Sequence, residues 1–229
     1  MKILGIDTST KIATIAVIDE EKLLGEYTLS QEMSHSENLI PMVKELLDNL
    51  HIKIEEIDLY GVAIGPGSFT GLRIGVAAVK SFAHLFQKPI VGVSTLEAMA
   101  YNLPHNKIVV PMIDARRDRV YTGVYSWENG ILKKIKADDV VEMEQLLKEL
   151  KFYETIAVNG DGSILHKDRL IQTLEDVKFS TMGQNVCKAS SICELALIAY
   201  NKNELDDFYT LAPDYLRETQ AQRELNERK

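Results

Sequence analysis

Residues Gly65–Gly75 carry the densest set of glycines in the chain, in the order Gly-Pro-Gly-Ser-Phe-Thr-Gly-Leu-Arg-Ile-Gly. Backbone N–H groups in such a loop, at the start of a helix, can hold phosphate. A Walker loop needs Lys and Ser or Thr directly after its last glycine, but Leu72 and Arg73 follow Gly71. The dinucleotide fingerprint needs glycine at the position of Thr70. We therefore interpret the loop as a tight strand-to-helix connection, with anion binding as the minor alternative.

The histidines and cysteines form no recognisable metal or nucleophile pattern. The five histidines include no His-x-x-x-His pair, because Leu39 stands four residues after His35. Ser68 does not lie in the Gly-x-Ser-x-Gly elbow of α/β-hydrolases. Cys187 and Cys193 form neither a disulfide framework nor a zinc site, and cysteines in apolar helices are mostly packing residues. The sequence therefore predicts no catalytic residue and no metal ligand, which argues against a metallopeptidase.

One short segment, Asp114–Arg119, is rich in basic residues and contains Arg116, Arg117 and Arg119. Arginine can contact phosphate or the carboxylates of a partner, but a solvated turn is the simpler interpretation. The chain as a whole is acidic, with 34 acidic and 26 basic residues and a net charge of −8. Because phosphate contacts need clustered Lys and Arg, we expect another subunit to make most contacts to any nucleic acid.

The amino-terminal sequence gives no indication of export. Met1 and Lys2 lead directly into a short apolar strand, without the apolar stretch of about 7–15 residues that a signal peptide contains. The chain also has no apolar run of about 18 residues. We therefore expect a cytoplasmic protein that does not span a membrane.

The order of the predicted elements is repeated in the two halves of the chain. Each half begins with short strands, continues with a helix and a buried strand, and then has a glycine-containing turn before a further helix. Gly65-Pro66-Gly67-Ser68 in the first half corresponds to Gly160-Asp161-Gly162-Ser163 in the second. We therefore predict a duplicated α/β fold with mixed sheets and flanking helices, in lobes 1–103 and 104–229, with a tail helix able to pack back on the N-terminal lobe. The predicted strands are Ile3–Asp7, Ala13–Ile18, Leu23–Leu29, Leu59–Ile64, Ile90–Val93, Ile108–Ile113, Val120–Trp127, Ile131–Ile135 and Thr155–Val158; the predicted helices are Leu39–Leu50, the stretch up to Gln87, Leu96–Tyr101, Glu142–Leu150, Ala189–Asn201 and the tail Arg217–Lys229.

Capping residues mark two of the helix starts. Ser34 with Glu37, and Ser94 with Glu97, have the spacing of capping boxes. Pro41 lacks a backbone donor, so the first helix either begins close to it or is kinked there.

The helix after the glycine-rich loop is apolar around much of its circumference. Its apolar residues cover an arc of about 200°, twice the roughly 100° that contact with one core requires. Gly71, Gly75 and Ala78 form a small-residue side next to Phe82, where another helix can approach closely. Because such a wide apolar face is otherwise exposed, we predict that a second protein docks on it. The alternative is a helix enclosed within a single chain.

Four segments resemble those of one bacterial protein family. They are Gly5-Ile6-Asp7-Thr8-Ser9, Gly65-Pro66-Gly67-Ser68-Phe69-Thr70-Gly71-Leu72-Arg73-Ile74-Gly75, Asp114-Ala115-Arg116-Arg117-Asp118-Arg119-Val120-Tyr121 and Pro213-Asp214-Tyr215-Leu216-Arg217. On these motifs the whole chain resembles the TsaB (YeaZ) family of tRNA threonylcarbamoyladenosine biosynthesis subunits.

The resemblance implies two actin-like lobes of the ASKHA (sugar kinase, Hsp70, actin; RNase H-like) type. It implies a cytoplasmic partner of the catalytic subunit TsaD and, through it, of the ATPase TsaE. That complex transfers a threonylcarbamoyl group to the adenosine beside the anticodon of tRNAs, so this subunit meets tRNA only indirectly. TsaD carries a His-x-x-x-His metal pair on its first helix. This chain has His35 and Leu39 in that region, so we expect it to lack the metal and the transfer activity.

The resemblance also implies residues for a partner interface. Family members pair through their first two helices, as homodimers when alone or as heterodimers with TsaD. The positions this assigns to the interface are Leu39, Val43, Leu46, Gly71, Ile74, Gly75, Ala78 and Phe82.

A nucleotide site is a further implication. Actin-like ATPases place an acidic residue near Mg²⁺ and small polar groups near phosphate, where this chain has Asp7, Thr8 and Ser9. Gly160 and Gly162 are positions at which an adenosine can approach the backbone. We interpret these five residues as a vestigial site, with no intrinsic cofactor and with ATP or ADP bound only within the complex. Plain turns that bond their own backbone are the alternative.

Two functions are therefore compared for this chain. The leading hypothesis is a non-catalytic scaffold subunit that is inactive alone. The other is a stand-alone actin-like ATPase or phosphotransferase that uses Asp7 and the Gly160–Gly162 turn. The sequence leaves open the oligomeric state at rest, and whether Arg116, Arg117 and Arg119 contact tRNA.

Overall fold

The computed structural model describes residues 1–30 and 35–216. The first sheet consists of β1 (Ile3–Asp7), β2 (Ile12–Ile18), β3 (Leu23–Ser30), β4 (Leu59–Gly65) and β5 (Ile90–Ser94). Its strand order is β3-β2-β1-β4-β5. Tight turns make the first three strands antiparallel, whereas β1, β4 and β5 are parallel because longer crossover segments join them.

A second sheet has the same plan. It consists of β6 (Ile108–Asp114), β7 (Arg119–Glu128), β8 (Ile131–Glu142), β9 (Ile156–Asn159) and β10 (Val177–Phe179). The order β8-β7-β6-β9-β10 repeats that of the first sheet strand by strand, which confirms the predicted duplication. Strand β8 continues well past the predicted end at Ile135, and β10 was not predicted. Most residues of β8 and β10 are at least partly exposed. Neither strand therefore has the continuous apolar run by which a buried strand is recognised in a sequence.

Seven α-helices accompany the sheets in the described part of the chain. They are α1 (His35–Leu50), α2 (Phe69–Phe86), α3 (Thr95–Tyr101), α4 (Met143–Leu150), α5 (Asp161–Leu165), α6 (Lys167–Thr173) and α7 (Ala189–Asn201). Helix α1 begins before Leu39 and accommodates Pro41 inside its second turn. Helix α5 replaces the plain turn expected at Gly160–Gly162. The predicted cap at Ser34 and the predicted tail helix lie outside the described residues.

Two of the helix starts are fixed by serine caps. The hydroxyl of Ser68 accepts the Gly71 N–H at 3.2 Å and so begins α2. The hydroxyl of Ser94 accepts the Glu97 N–H at 3.3 Å, as the capping pattern predicts for α3. Each cap satisfies a backbone donor that has no partner within its own helix.

The helices lie in three layers around the two sheets. Helices α1 and α2 cover the outer face of the first sheet, and α4 and α6 cover the outer face of the second. Helices α3 and α7 share one core with both sheets. Helix α7 packs on β1, β2, β4 and β5 although it follows the second sheet in the chain. The predicted boundary at 103/104 lies between the two sheets, and α7 crosses it to pack on the first.

Residues 203–216, here called the C-terminal strap, also return to the first lobe. Asp206 pairs with the edge of the first sheet, where its N–H donates to the Ile90 carbonyl at 3.0 Å and its carboxylate accepts the Gly92 N–H at 2.7 Å. Further along, the Asp214 N–H donates to the Ile64 carbonyl at 2.7 Å. The strap thus crosses the end of the first sheet next to α2. None of the helices in the described residues is long and apolar enough to cross a bilayer.

Candidate functional site

The turn after β1 holds the three polar residues that the sequence suggests for nucleotide binding. Asp7, Thr8 and Ser9 are each only 1% exposed. The Asp7 carboxylate accepts the Ser9 N–H at 2.8 Å, and the Thr8 hydroxyl donates to the Gly71 carbonyl at 2.7 Å. The Ser68 N–H donates to the Ser9 carbonyl at 2.6 Å. The Asp7 and Thr8 side chains and the Ser9 backbone therefore tie the turn to itself and to the start of α2, whereas the second Asp7 carboxylate oxygen is buried without a hydrogen-bond partner among the described residues.

Burial changes the acid–base chemistry of Asp7. Desolvation raises its pKa to about 6, against smaller opposite effects of the Ser9 hydroxyl and N–H, the Cys187 thiol and His35. The pKa of the Cys187 thiol is raised well above its usual value by its own burial and by the neighbouring Asp7. With a pKa of about 6 the Asp7 carboxyl group changes its charge close to neutral pH, whereas the Cys187 thiol is an unreactive packing group.

The glycines of α2 allow this turn to approach the helix. A Cβ atom at position 71 would lie 2.0 Å from the Thr8 carbonyl oxygen, and one at position 75 would lie 2.5 Å from the Thr8 hydroxyl oxygen. A Cβ at Gly67 would lie 2.3 Å from the Ser9 carbonyl oxygen. The close approach that the sequence suggested for a partner helix is therefore made by the chain's own turn. A large residue at position 71 or 75 disturbs the first lobe before it affects any partner.

The second pair of nucleotide candidates lies in the other sheet. Gly160 has a positive φ of 93°, and a Cβ there would lie 2.2 Å from the Met112 carbonyl oxygen. A Cβ at Gly162 would lie 3.0 Å from the same oxygen. Both glycines thus bring α5 close to β6. All five candidates thus take part in close packing within the chain, and their use as a nucleotide site stays a prediction.

The predicted partner interface divides into buried and accessible positions. Leu39, Val43 and Leu46 are 1%, 4% and 2% exposed and belong to the core between α1 and the first sheet. Gly71 and Gly75 are buried as well. Helical spacing identifies an apolar face without showing what covers it, and an interface that uses these five positions stays a prediction. Ile74, Ala78 and Phe82 of α2 are half-buried, so they remain accessible.

The accessible face of α2 includes residues that sequence reasoning did not assign to the interface. Leu85 is 71% exposed, and Ile40 on the neighbouring helix α1 is 49% exposed. The open stripe of α2, as we call it, consists of Ile74, Ala78, Ser81 and Leu85, which share one side at helical spacing. An uncovered apolar stripe of this kind is a typical protein contact surface.

The C-terminal strap covers the adjacent side of α2. The Arg73 guanidinium lies 3.9 Å from the centroid of the Phe69 ring, and its Nε donates to the Tyr215 hydroxyl at 3.0 Å. The Lys80 ammonium group donates to the Leu211 carbonyl at 2.8 Å. The strap was missed because its residues lack helical or strand periodicity, although Pro213-Asp214-Tyr215 is part of the family motif. It limits the free surface of α2 to the open stripe and its margins.

No group of three or more metal-ligating side chains occurs in residues 1–30 and 35–216. The predicted absence of a metal concerns the whole chain and stays a prediction.

Comparisons with known proteins give relatives along nearly the whole chain. The family model for tRNA N6-adenosine threonylcarbamoyltransferase (TsaD) matches residues 22–225. The tRNA threonylcarbamoyladenosine biosynthesis protein TsaB of Bacillus subtilis is 36% identical over 97% of this chain and 96% of its own length. The structure of YeaZ from Pseudomonas aeruginosa superposes with a TM-score of 0.81 at 26% identity, covering 93% of this chain and 99% of that one.

A more distant structure supports the fold alone. The ethanolamine utilization protein EutJ from Carboxydothermus hydrogenoformans matches with a TM-score of 0.50 at 16% identity, over 84% of this chain and 89% of that one. With the two repeated sheets, these likenesses confirm duplicated actin-like lobes. The chain belongs to the TsaB (YeaZ) family of tRNA threonylcarbamoyladenosine biosynthesis proteins.

Proposed function

We propose that this chain is the non-catalytic, activating subunit of a threonylcarbamoyl transferase complex that modifies the adenosine next to the anticodon of tRNAs. It pairs with a TsaD-type catalytic subunit and is inactive alone. The observation that carries this proposal is the open stripe on α2 beside α1, in a chain whose polar turn is enclosed. The names of its relatives supply the pathway.

The accessible surface supports pairing through the first two helices. The open stripe is apolar along most of its length, and Ile40 extends the apolar surface onto α1. A second copy of this chain occupies that surface when the catalytic subunit is absent, so the resting form is a homodimer. TsaE joins through the catalytic subunit, and any ATP or ADP is bound within the complex. An acidic chain leaves most of the tRNA binding to its partners.

Charged substitutions in the open stripe test the pairing. We expect Leu85→Glu combined with Ile40→Glu to weaken pairing with the catalytic subunit at least tenfold, because carboxylates would be buried without partners. Both residues are exposed in the single chain, so at concentrations where the chain is monomeric its melting temperature should stay that of the wild type. Size-exclusion chromatography and calorimetric titration with the catalytic subunit give the measurement.

Phe152 provides a matched control for that experiment. It is 88% exposed on the second lobe, so Phe152→Glu adds a charge at an apolar surface position away from α2. Its affinity for the catalytic subunit should equal that of the wild type. Equal losses in both variants, or no loss in either, would show that the partner docks elsewhere.

ATP turnover separates the scaffold from a stand-alone ATPase. We expect the purified chain to hydrolyse no ATP above background, because Asp7 is buried and closed off from solvent. A coupled phosphate-release assay at pH 8, where Asp7 is ionised, is the most demanding test. Robust ATP hydrolysis by the wild type that disappears in Asp7→Asn would show that the chain is a stand-alone ATPase and not a scaffold subunit.

A further inference from the structure

The turn between β6 and β7 has an unusual backbone. Arg116, Arg117 and Asp118 have φ values of 62°, 56° and 57°, so three consecutive residues with side chains are left-handed. This conformation is unfavourable for any residue with a Cβ atom, and glycine adopts it freely. The chain nevertheless has two arginines here, which points to a use for their side chains.

The surrounding residues hold this turn in place. The Arg116 N–H donates to the Asp114 carboxylate at 2.7 Å, and the Met143 N–H donates to the Asp118 carbonyl at 2.9 Å. The Asp118 carboxylate accepts a hydrogen bond from Arg169 at 2.5 Å. The acidic side chains of the turn are thus engaged by a backbone N–H or by another arginine.

The two arginine side chains are themselves unpaired. Arg116 and Arg117 are exposed, and neither has a carboxylate within 4.0 Å among the residues that the structure describes. Several exposed lysines do form ion pairs, as Lys44 does with Asp48 and Lys133 with Glu128. The turn therefore presents two adjacent free guanidinium groups on a chain with a net charge of −8.

The position of the turn follows from the duplication. Strand β6 corresponds to β1, so the Arg116–Arg117 turn corresponds to the Asp7–Ser9 turn of the first lobe. The first turn is covered by the loop before α2, whereas the second is open to solvent. The carboxyl ends of central strands are where α/β sheets bind ligands.

We propose that the Arg116–Arg117 turn binds the phosphodiester backbone of the tRNA substrate, an inference that rests on the proposed role in tRNA modification. Guanidinium groups bind phosphate oxygens through paired N–H donors, and two neighbouring groups suit successive phosphates. Carboxylates of the protein partner are the competing ligand. They are disfavoured because the turn belongs to the second sheet, whereas the open stripe lies on the first lobe.

Glycine substitutions test this inference without endangering the fold. Arg116→Gly combined with Arg117→Gly removes both guanidinium groups and relieves the left-handed strain, so the melting temperature should stay equal or rise. We expect the affinity of the complex for a transcribed tRNA in 0.1 M salt to fall roughly tenfold or more. The slope of log affinity against log salt should fall by about two.

A charge-matched control uses two exposed lysines elsewhere. Lys22→Ala combined with Lys151→Ala removes the same number of positive charges, from the β2–β3 turn and from the end of α4. Its tRNA affinity and salt slope should stay close to those of the wild type. If the tRNA affinity falls equally in both double variants, the loss is a general effect of net charge and the inference is wrong. If the affinity does not fall in the glycine variant, the inference is also wrong.

Pairing is measured first, without RNA, to separate this inference from the proposed function. If the wild-type chain fails to pair with the catalytic subunit, the proposed function is wrong. The tRNA affinities of the wild type and the glycine variant are then compared for the chain alone. Equal affinities in that comparison would overturn the inference about the turn. Loss of pairing in the glycine variant alone would show that the turn docks protein carboxylates instead. Normal pairing with weakened tRNA binding supports the proposal.

Discussion

Gly71→Ala is expected to lower the free energy of unfolding by about 3 kcal/mol, because the new Cβ overlaps backbone that cannot move easily. That atom would lie 2.0 Å from the Thr8 carbonyl oxygen and 3.3 Å from the Ser68 Cβ atom. For a chain of this length the melting temperature should fall by roughly 6–12 °C. Urea denaturation and differential scanning calorimetry of the isolated chain measure both quantities.

Two other glycines calibrate this effect. At Gly75 the added Cβ would meet a side-chain oxygen of Thr8, which can rotate at the cost of its hydrogen bond to Gly71, so the loss should be smaller. Nothing lies within 4 Å of a Cβ at Gly183, so Gly183→Ala should be close to neutral. We therefore predict that the loss in free energy of unfolding is largest for Gly71→Ala, smaller for Gly75→Ala and close to zero for Gly183→Ala. A Gly71→Ala chain as stable as the Gly183→Ala chain would mean that α2 does not rest on the turn after β1.

Asp7→Asn is expected to stabilise the isolated chain by an amount that grows from about pH 4 and reaches its full value above pH 6. Burial raises the pKa of Asp7 from 3.8 to about 6, so the folded state holds its proton more tightly than the unfolded state does. The wild type therefore loses stability as the pH rises from 3.8 through 6, and it regains none of it above. Asparagine still accepts the Ser9 N–H and carries no charge, so the gain should approach about 3 kcal/mol at pH 8 and about half of that at pH 5.

Asp19 supplies the control with the opposite sign. Its exposed carboxylate accepts the N–H groups of Glu21 and Lys22 at 2.9 Å each, and the first of these bonds contributes most to lowering its pKa. Asp19→Asn should therefore give no gain that grows with pH. Urea unfolding at pH 5, 6, 7 and 8 gives both curves. A parallel pair of curves for wild type and Asp7→Asn would mean that the Asp7 carboxyl is ionised without penalty, as a residue that meets a cation would be.

Together, these two variants test whether the turn after β1 is structural. Gly71 and Asp7 lie on its two sides, one at the helix start and one at the strand end. If the complex that contains Asp7→Asn keeps its transferase activity, the turn after β1 has a packing role only. Loss of transferase activity in a complex that still assembles would instead assign the carboxylate a role that the isolated chain does not reveal.

Local sequence features were enough to predict most of the secondary structure and the duplication. Runs such as Leu59–Ile64 stay apolar because the strand is covered on both faces, and the cap at Ser94 needs only its neighbour at Glu97. The order of strands and glycine turns repeats visibly, so the two sheets could be inferred without any contact information. Elements with weak periodicity, β10 and the C-terminal strap, could not be inferred.

The sequence by itself therefore determined the elements, the repeat and the lack of a local catalytic motif. Only the tertiary structure decided what each apolar or small residue touches. Gly71 and Gly75 were expected to face a partner, but they face Thr8, because a helical wheel gives the direction of a side chain and not its neighbour. Long-range packing also returned α7 and the strap to the first lobe and enclosed Asp7, and it left Leu85 open. These contacts join residues far apart in the chain, and no local spacing encodes them.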